Sequence, residues 1–242
     1  MKIVCFGDSL TRGISYVKGR LRIIKENYPN SLAKLTESLP FVEVLNKGVF
    51  NDNSDLLVSR FEKDVMSENP DIVLIEVGGN DCNFHWAEVA KDPEGHHEPI
   101  VPIERYLDNI TQLVKQVQDK HVTPFLLTLP PLDPARYYRS LADKFGHSIG
   151  HFVSHVGGIE HWHGMYNRQL KNLAEELKVP LIDVRSYIKT SGDLEHLISD
   201  DGIHLTSEGY QQMSLAIFSD LKKHMTGKMP SQSSFDCKHS SW

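Results

Sequence analysis

Cysteine is scarce in this chain. Only Cys5, Cys82 and Cys237 occur in 242 residues. They are far apart and form no CxxC pair, which argues against both a disulfide framework and a zinc knuckle. A basic excess is also missing: 26 Lys and Arg stand against 32 Asp and Glu, for a net charge of -6. Phosphate backbones need a dense basic footprint, so nucleic acid is not an expected partner. No apolar run approaches the roughly 18 residues that a membrane span needs. The opening MKIVCFGDSL is too short in apolar residues for a secretory leader, so the expectation is a cytoplasmic protein without integral membrane association. GxxxxGK[ST] and GxGxxG are absent, and with them any nucleotide fingerprint.

What is present suits one α/β domain. Hydrophobic residues make up 40% of the chain, enough for a sizeable core without covalent or metal staples. Five short apolar runs read as strands: Lys2–Phe6, Val42–Leu45, Asp71–Val77, Pro124–Leu129 and the weaker Pro180–Val184. Continuous apolar strands imply burial on both faces, as in a parallel sheet. Between them, Ile103–Lys120, Met165–Leu177 and Ser207–His224 carry apolar stripes at helical spacing. The expected architecture is a three-layer α/β/α sandwich, flavodoxin-like, around a five-stranded and mainly parallel sheet. It spans residues 1–226, with a flexible polar tail at 227–242.

Two segments are longer than a crossover needs. Residues 83–102 contain Phe84, His85 and Trp86, and residues 133–164 carry a stripe from Tyr138 to Val156. Both follow strand ends and should stand over any site at the sheet's carboxyl edge. Trp86, Tyr138, Phe145 and Phe152 are candidates to line a pocket there. The stripe could equally be a satellite core, or a contact between copies of the chain in a homo-oligomer.

Polar motifs close the first three strands. Phe6-Gly7-Asp8-Ser9-Leu10 follows the first, Asn46-Lys47-Gly48 begins NKGVFND after the second, and VGGND ends the third at Asn80 and Asp81. Near the carboxyl end stands DGIHLT, with Asp201 three residues before His204. A serine hydroxyl is a poor nucleophile until a base takes its proton, and a histidine steadied by a carboxylate is such a base. The four blocks, in this order, resemble those of the GDSL, or SGNH, hydrolases. The resemblance implies a cofactor-free serine esterase that forms an acyl-Ser9 intermediate, with Asp201 and His204 as partners of Ser9. It assigns the oxyanion hole to the backbone N–H of Ser9 and Gly48 and to the side chain of Asn80. Asp8 and Trp86 are the candidate substrate contacts. The substrate is a small-molecule carboxylic ester; lysophospholipids, acetylated sugars and thioesters remain open. One departure is Asn51, where the family often has a second glycine; asparagine tolerates the left-handed conformation such a turn requires. Asp200 competes with Asp201 for the imidazole, although three-residue spacing favours Asp201.

Other signals point elsewhere. Gly146-His147-Ser148-Ile149-Gly150 matches the G-x-S-x-G nucleophile elbow, which needs a buried strand before it. Helically spaced residues precede it here, so Ser148 reads as a helix-surface serine. His147, His151 and His155 share a helical face near His161 and His163, yet no carboxylate or cysteine is interleaved at ligand spacing, and no metal is expected. The reading from another class is a non-catalytic flavodoxin-like module that cradles phosphate or flavin at Ser9–Gly13. It leaves DGIHLT unexplained.

Overall fold

The computed structural model describes residues 1–39 and 41–227. The polar tail read from 227 onward, with Cys237, therefore lies outside the described residues except for Gly227, which ends the last helix.

In chain order the strands are β1 (Lys2–Gly7), β2 (Ile14–Val17), β3 (Arg20–Ile23), β4 (Glu43–Gly48), β5 (Ile72–Glu76), β6 (Thr123–Leu127) and β7 (Leu181–Ile182). Five of them form one sheet in the order β4-β1-β5-β6-β7, and every pairing in it is parallel. The five expected strands are all present. β2 and β3 form a separate antiparallel hairpin that the hydrophobic pattern does not reveal.

Alternation along the strands divides the apolar residues between two cores. Val4, Phe6, Val73, Ile75 and Leu126 face one side, and helices Ser54–Asp64, Ile103–Asp119 and Ile159–Leu177 cover them. Ile3, Cys5, Ile72, Leu74, Phe125 and Leu127 face the other side, under helices Tyr28–Leu35, Val184–Thr190 and Ser207–Gly227. Ile3, Val4, Cys5 and Phe6 are all fully buried. A strand sealed on both faces needs such an uninterrupted apolar run.

Strand order reverses direction at β1, with β4 on one side and β5 on the other. In open α/β sheets the crevice at such a switch, beyond the carboxyl ends, is where ligands bind. The segments after β1, β4 and β5 meet there. Gly48 shows how tightly: a Cβ at this position would lie 2.1 Å from the backbone N of Arg12.

The long segments build a third apolar cluster over that edge. Short helices Pro134–Phe145 and Ile149–His155 and the turn Trp86–Val89 bury Phe84, Val89, Leu141, Ile149 and Phe152 among themselves. Phe84 and Phe152 meet edge to face at 4.8 Å. The stripe from Tyr138 to Val156 is thus largely a satellite core. The first long segment is also pinned at its base, where Ile100 N donates to Asn83 O at 2.7 Å and Val101 N to Asp81 O at 3.0 Å.

Candidate active site

Ser9 opens a single helical turn, Ser9–Arg12, directly after β1. The Asp8 carboxylate accepts from Leu10 N at 2.9 Å and caps that turn. Gly13, with φ +91°, ends it in the left-handed region that glycine enters freely. The chain reverses so sharply that Ser9 Oγ is left at the sheet's rim, only 7% exposed.

His204 arrives from the opposite end of the sequence, on a loop closed by the Ile198–Leu205 bridge. Its Nε2 is 3.0 Å from Ser9 Oγ, and its Nδ1 is 2.6 Å from Asp201 Oδ2. The other carboxylate oxygen, Oδ1, accepts from Ile203 N and His204 N, both at 3.1 Å. Ser199 adds its hydroxyl to His204 O at 2.7 Å. Burial opposes ionisation of Asp201, but the bonds from the His204 ring and these amides outweigh it and hold the carboxyl below its ordinary range. Asp200 is exposed, and Asp201 alone of the pair reaches the ring. Gly202, at φ +79°, seats this loop against the second long segment: Asp133 N donates to its carbonyl at 2.9 Å.

Asn80 follows β5 and borders the same crevice. One hydrogen of its amide goes to Asp52 O at 2.7 Å, and the Asp52 carboxylate is clamped by Arg60 Nε at 2.6 Å. An amide nitrogen carries two hydrogens, so one is left to aim. Gly48 behaves otherwise than expected. Its N–H donates to Asn46 Oδ1 at 2.9 Å, and it does not border the cavity. Its missing Cβ serves close packing on Thr11 and Arg12 instead. Asn51 does adopt the left-handed turn, with φ +63°.

Beneath Ser9 lies a set of buried acids. Burial pushes Asp8 up to about 6 and Asp81 to about 7, each partly offset by the amide N–H it accepts. Burial, with the neighbouring charge of Asp8, drives Glu76 further still above the carboxylate range.

The crevice continues into a cavity of about 70 Å³. Phe84, Trp86, Val153, Val156, Ile159 and Trp162 make its apolar wall. Trp86 is there as expected, whereas Tyr138, Phe145 and Phe152 are not; Phe152 lies behind the wall in the satellite core. Phe84, Trp162 and His163 are missed from sequence, His163 because it reads only as one of a histidine group. His147, His151, His155 and His161 are exposed while His163 is buried, and among the described residues no group of three or more His, Cys, Asp or Glu is disposed to hold a metal ion. Ser148 is exposed and leads into the helix Ile149–His155, with no strand before it. The phosphate-cradle reading of Ser9–Gly13 does not fit, because Asp8 already caps the turn and His204 holds the Ser9 hydroxyl.

Fold and site together define an α/β protein with a hydroxyl, an imidazole and a carboxylate in line at the switch point of a flavodoxin-like sheet. Residues 5–212 match the GDSL-like lipase/acylhydrolase family; the chain belongs to that family and is an ester-hydrolysing enzyme. It is 26% identical to a protein of Bacillus subtilis named uncharacterized lipoprotein YqeF, over 93% of this chain and 83% of that one. It is 22% identical to the isoamyl acetate-hydrolyzing esterase of Saccharomyces cerevisiae, over 87% of this chain and 81% of that one. A putative lipolytic protein of the G-D-S-L family from Desulfitobacterium hafniense has the same fold, with a TM-score of 0.62 at 23% identity, covering 90% of this chain and 98% of that one. Among the described residues no helix is long and apolar enough to cross a membrane. The Bacillus relative is named a lipoprotein, and the cytoplasmic expectation gains no support from it.

Proposed function

We propose that the protein is a serine esterase that hydrolyses small carboxylic esters through an acyl-Ser9 intermediate. The observation that carries this reading is the unbroken chain from Ser9 Oγ to His204 Nε2 at 3.0 Å and from His204 Nδ1 to Asp201 Oδ2 at 2.6 Å. His204 accepts the hydroxyl proton as Oγ bonds to the ester carbonyl carbon, and the carbonyl electron pair moves to its oxygen. Asp201 keeps the Nδ1 proton in place and balances the imidazolium charge. The tetrahedral intermediate collapses, and the alcohol leaves with the proton from His204. A water then repeats the sequence on the acyl-enzyme and frees the acid.

The developing oxyanion needs fixed donors. The Ser9 amide is the first N–H of its turn and has no carbonyl partner within the helix. The second amide hydrogen of Asn80 is the other donor. Gly48 joins them only if Asn46 releases its N–H.

The apolar wall favours an ester with a compact hydrocarbon portion over an acetylated sugar, whose many hydroxyls would lose water against Phe84 and Trp162. The yeast relative named for isoamyl acetate fits the same choice of a small apolar ester. A purified Ser9→Ala variant assayed on short ethyl esters tests the reading. Turnover should fall by roughly 10⁴-fold or more with Tm unchanged. Retention of a tenth of the activity contradicts the nucleophile assignment.

A further inference from the structure

Most polar groups on the cavity wall satisfy one another. Asn83 Oδ1 accepts from Trp86 Nε1 at 2.6 Å and from the Tyr137 hydroxyl at 2.9 Å. Trp162 Nε1 donates to Cys82 O. Apart from Ser9 and Asn80, the unspent side-chain donors on the wall are the amide of half-buried Asn83 and the ring of His163, which is the buried one.

His163 is 7% exposed, and its Nδ1 lies 3.0 Å from Arg185 Nη1. A guanidinium only donates, so Nδ1 is the acceptor and Nε2 carries the proton. Arg185 is itself fixed, by Glu160 Oε1 at 2.7 Å and by the carbonyls of Leu129 and Pro130. Burial, with the Arg185 charge, pushes His163 down to about 3, and the ring stays neutral at any working pH. No protein acceptor meets Nε2 among the described residues. Next to the main cavity is a recess of about 20 Å³, sharing Leu10, Gly79, Leu132, His163 and Ile203 with it. Glu76 also borders this recess; its Oε1 is buried with no donor in reach, while its carboxyl shares a hydrogen bond with the Asp8 carboxyl. The other Glu76 oxygen accepts from Thr11 Oγ1 at 3.2 Å.

We propose that His163 and Glu76 form a hydroxyl-recognition subsite at one end of the apolar pocket, so that the preferred substrates are esters whose cavity-filling part carries a hydroxyl group. The proposal rests on the esterase reading and narrows its substrate class. A hydroxyl oxygen accepts from His163 Nε2 while its hydrogen goes to Glu76 Oε1. A keto oxygen satisfies His163 alone, and a methylene meets neither His163 Nε2 nor Glu76 Oε1. The recess has room for about one such group, since a single water needs roughly 10–15 Å³ by the same kind of measure. One hydroxyl suits this end, whereas a sugar would place several against the aromatic wall.

Two matched series of substrates test this. Ethyl esters of acids bearing a hydroxyl, an oxo group or no substituent at one chain position probe the acyl side. Acetates of diols, hydroxyketones and plain alcohols probe the alcohol side. In one series kcat/KM should fall from hydroxy to oxo to plain, by about 10-fold from end to end. His163→Leu should bring that ratio to about one, whatever its absolute rate. His163→Gln, which keeps a donor, should restore part of it. Wild-type rates equal within two-fold across both series overturn the proposal, and that arm stands even if the variants fail to fold. A His163→Leu enzyme that keeps the ratio overturns it too. Failure of the underlying reading looks different: Ser9→Ala would still hydrolyse these esters.

Discussion

The turns that carry Ser9 and His204 and the helical cover above them are held by different physics. Around Ser9 and His204, short polar contacts dominate. Asp8 caps the Ser9 turn, and Asp201 takes two backbone amides of its own loop. The cover is held by aromatic and aliphatic packing, with Phe84 against Phe152 at 4.8 Å and against Trp162 at 5.0 Å. Directional bonds fix atoms to the tenths of an ångström that proton transfer requires, while apolar packing fixes volume and shape. Chemistry and substrate choice should therefore be separable by mutation.

The largest effect is expected at His204. His204→Ala removes the proposed base and should lower kcat by roughly 10⁴-fold or more, with Tm little changed; a loss below ten-fold would assign the proton transfer elsewhere. Asn80→Ala should cost roughly 10²–10³ in kcat with KM nearly constant, as expected for a donor that acts on transition-state charge. A pure KM effect would make Asn80 a substrate-positioning residue.

In the cover, Trp86 and Phe152 should diverge. Phe152 is 2% exposed behind the wall, and Phe152→Ala should cost about 3–5 kcal/mol of stability without reordering esters of different chain length. Trp86→Ala enlarges the pocket and should shift that order toward longer chains. If both variants leave the order alone, the cover does not select substrate.

A smaller effect concerns pH. Asp81 is buried, with Oδ2 unpartnered, and is pushed up to about 7. In the unfolded chain an aspartate titrates near 3.9, so between these values the folded state binds more protons. Its contribution is fully present below about pH 4 and is lost as pH rises through about 7. Asp81→Asn should flatten the fall in Tm between pH 5 and pH 8, in thermal melts at about those two values. An unchanged pH slope would remove Asp81 from this account.

Local sequence made one of the two regions legible. Spacing pairs Asp201 with His204 and puts Ser9 and Asn80 at strand ends, whereas the meeting of Ser9 with His204, 195 residues away, was legible only through the resemblance of the four blocks to the GDSL hydrolases. The sheet was legible because β1 and β5 are sealed on both faces. β4 runs on through polar Asn46 and Lys47 because the ladder pairs Gly7 with Gly48 whatever the side chains are. The β2–β3 hairpin escaped notice since Arg20–Ile23 is exposed along its whole length and has no buried alternation. The motif around Gly48 does not reveal that the Asn46 side chain, two residues back, holds the Gly48 N–H. His163 depends on Arg185, 22 residues away, and such a partnership has no spacing signature.

The central claim is that Ser9 is the nucleophile. Incubation with a fluorophosphonate probe, followed by digestion and mass spectrometry of the labelled peptides, tests it most directly. The account predicts one adduct, on Ser9, that disappears in His204→Ala and is blocked by a competing short ester. An adduct on Ser148, or on any serine but Ser9, would contradict it.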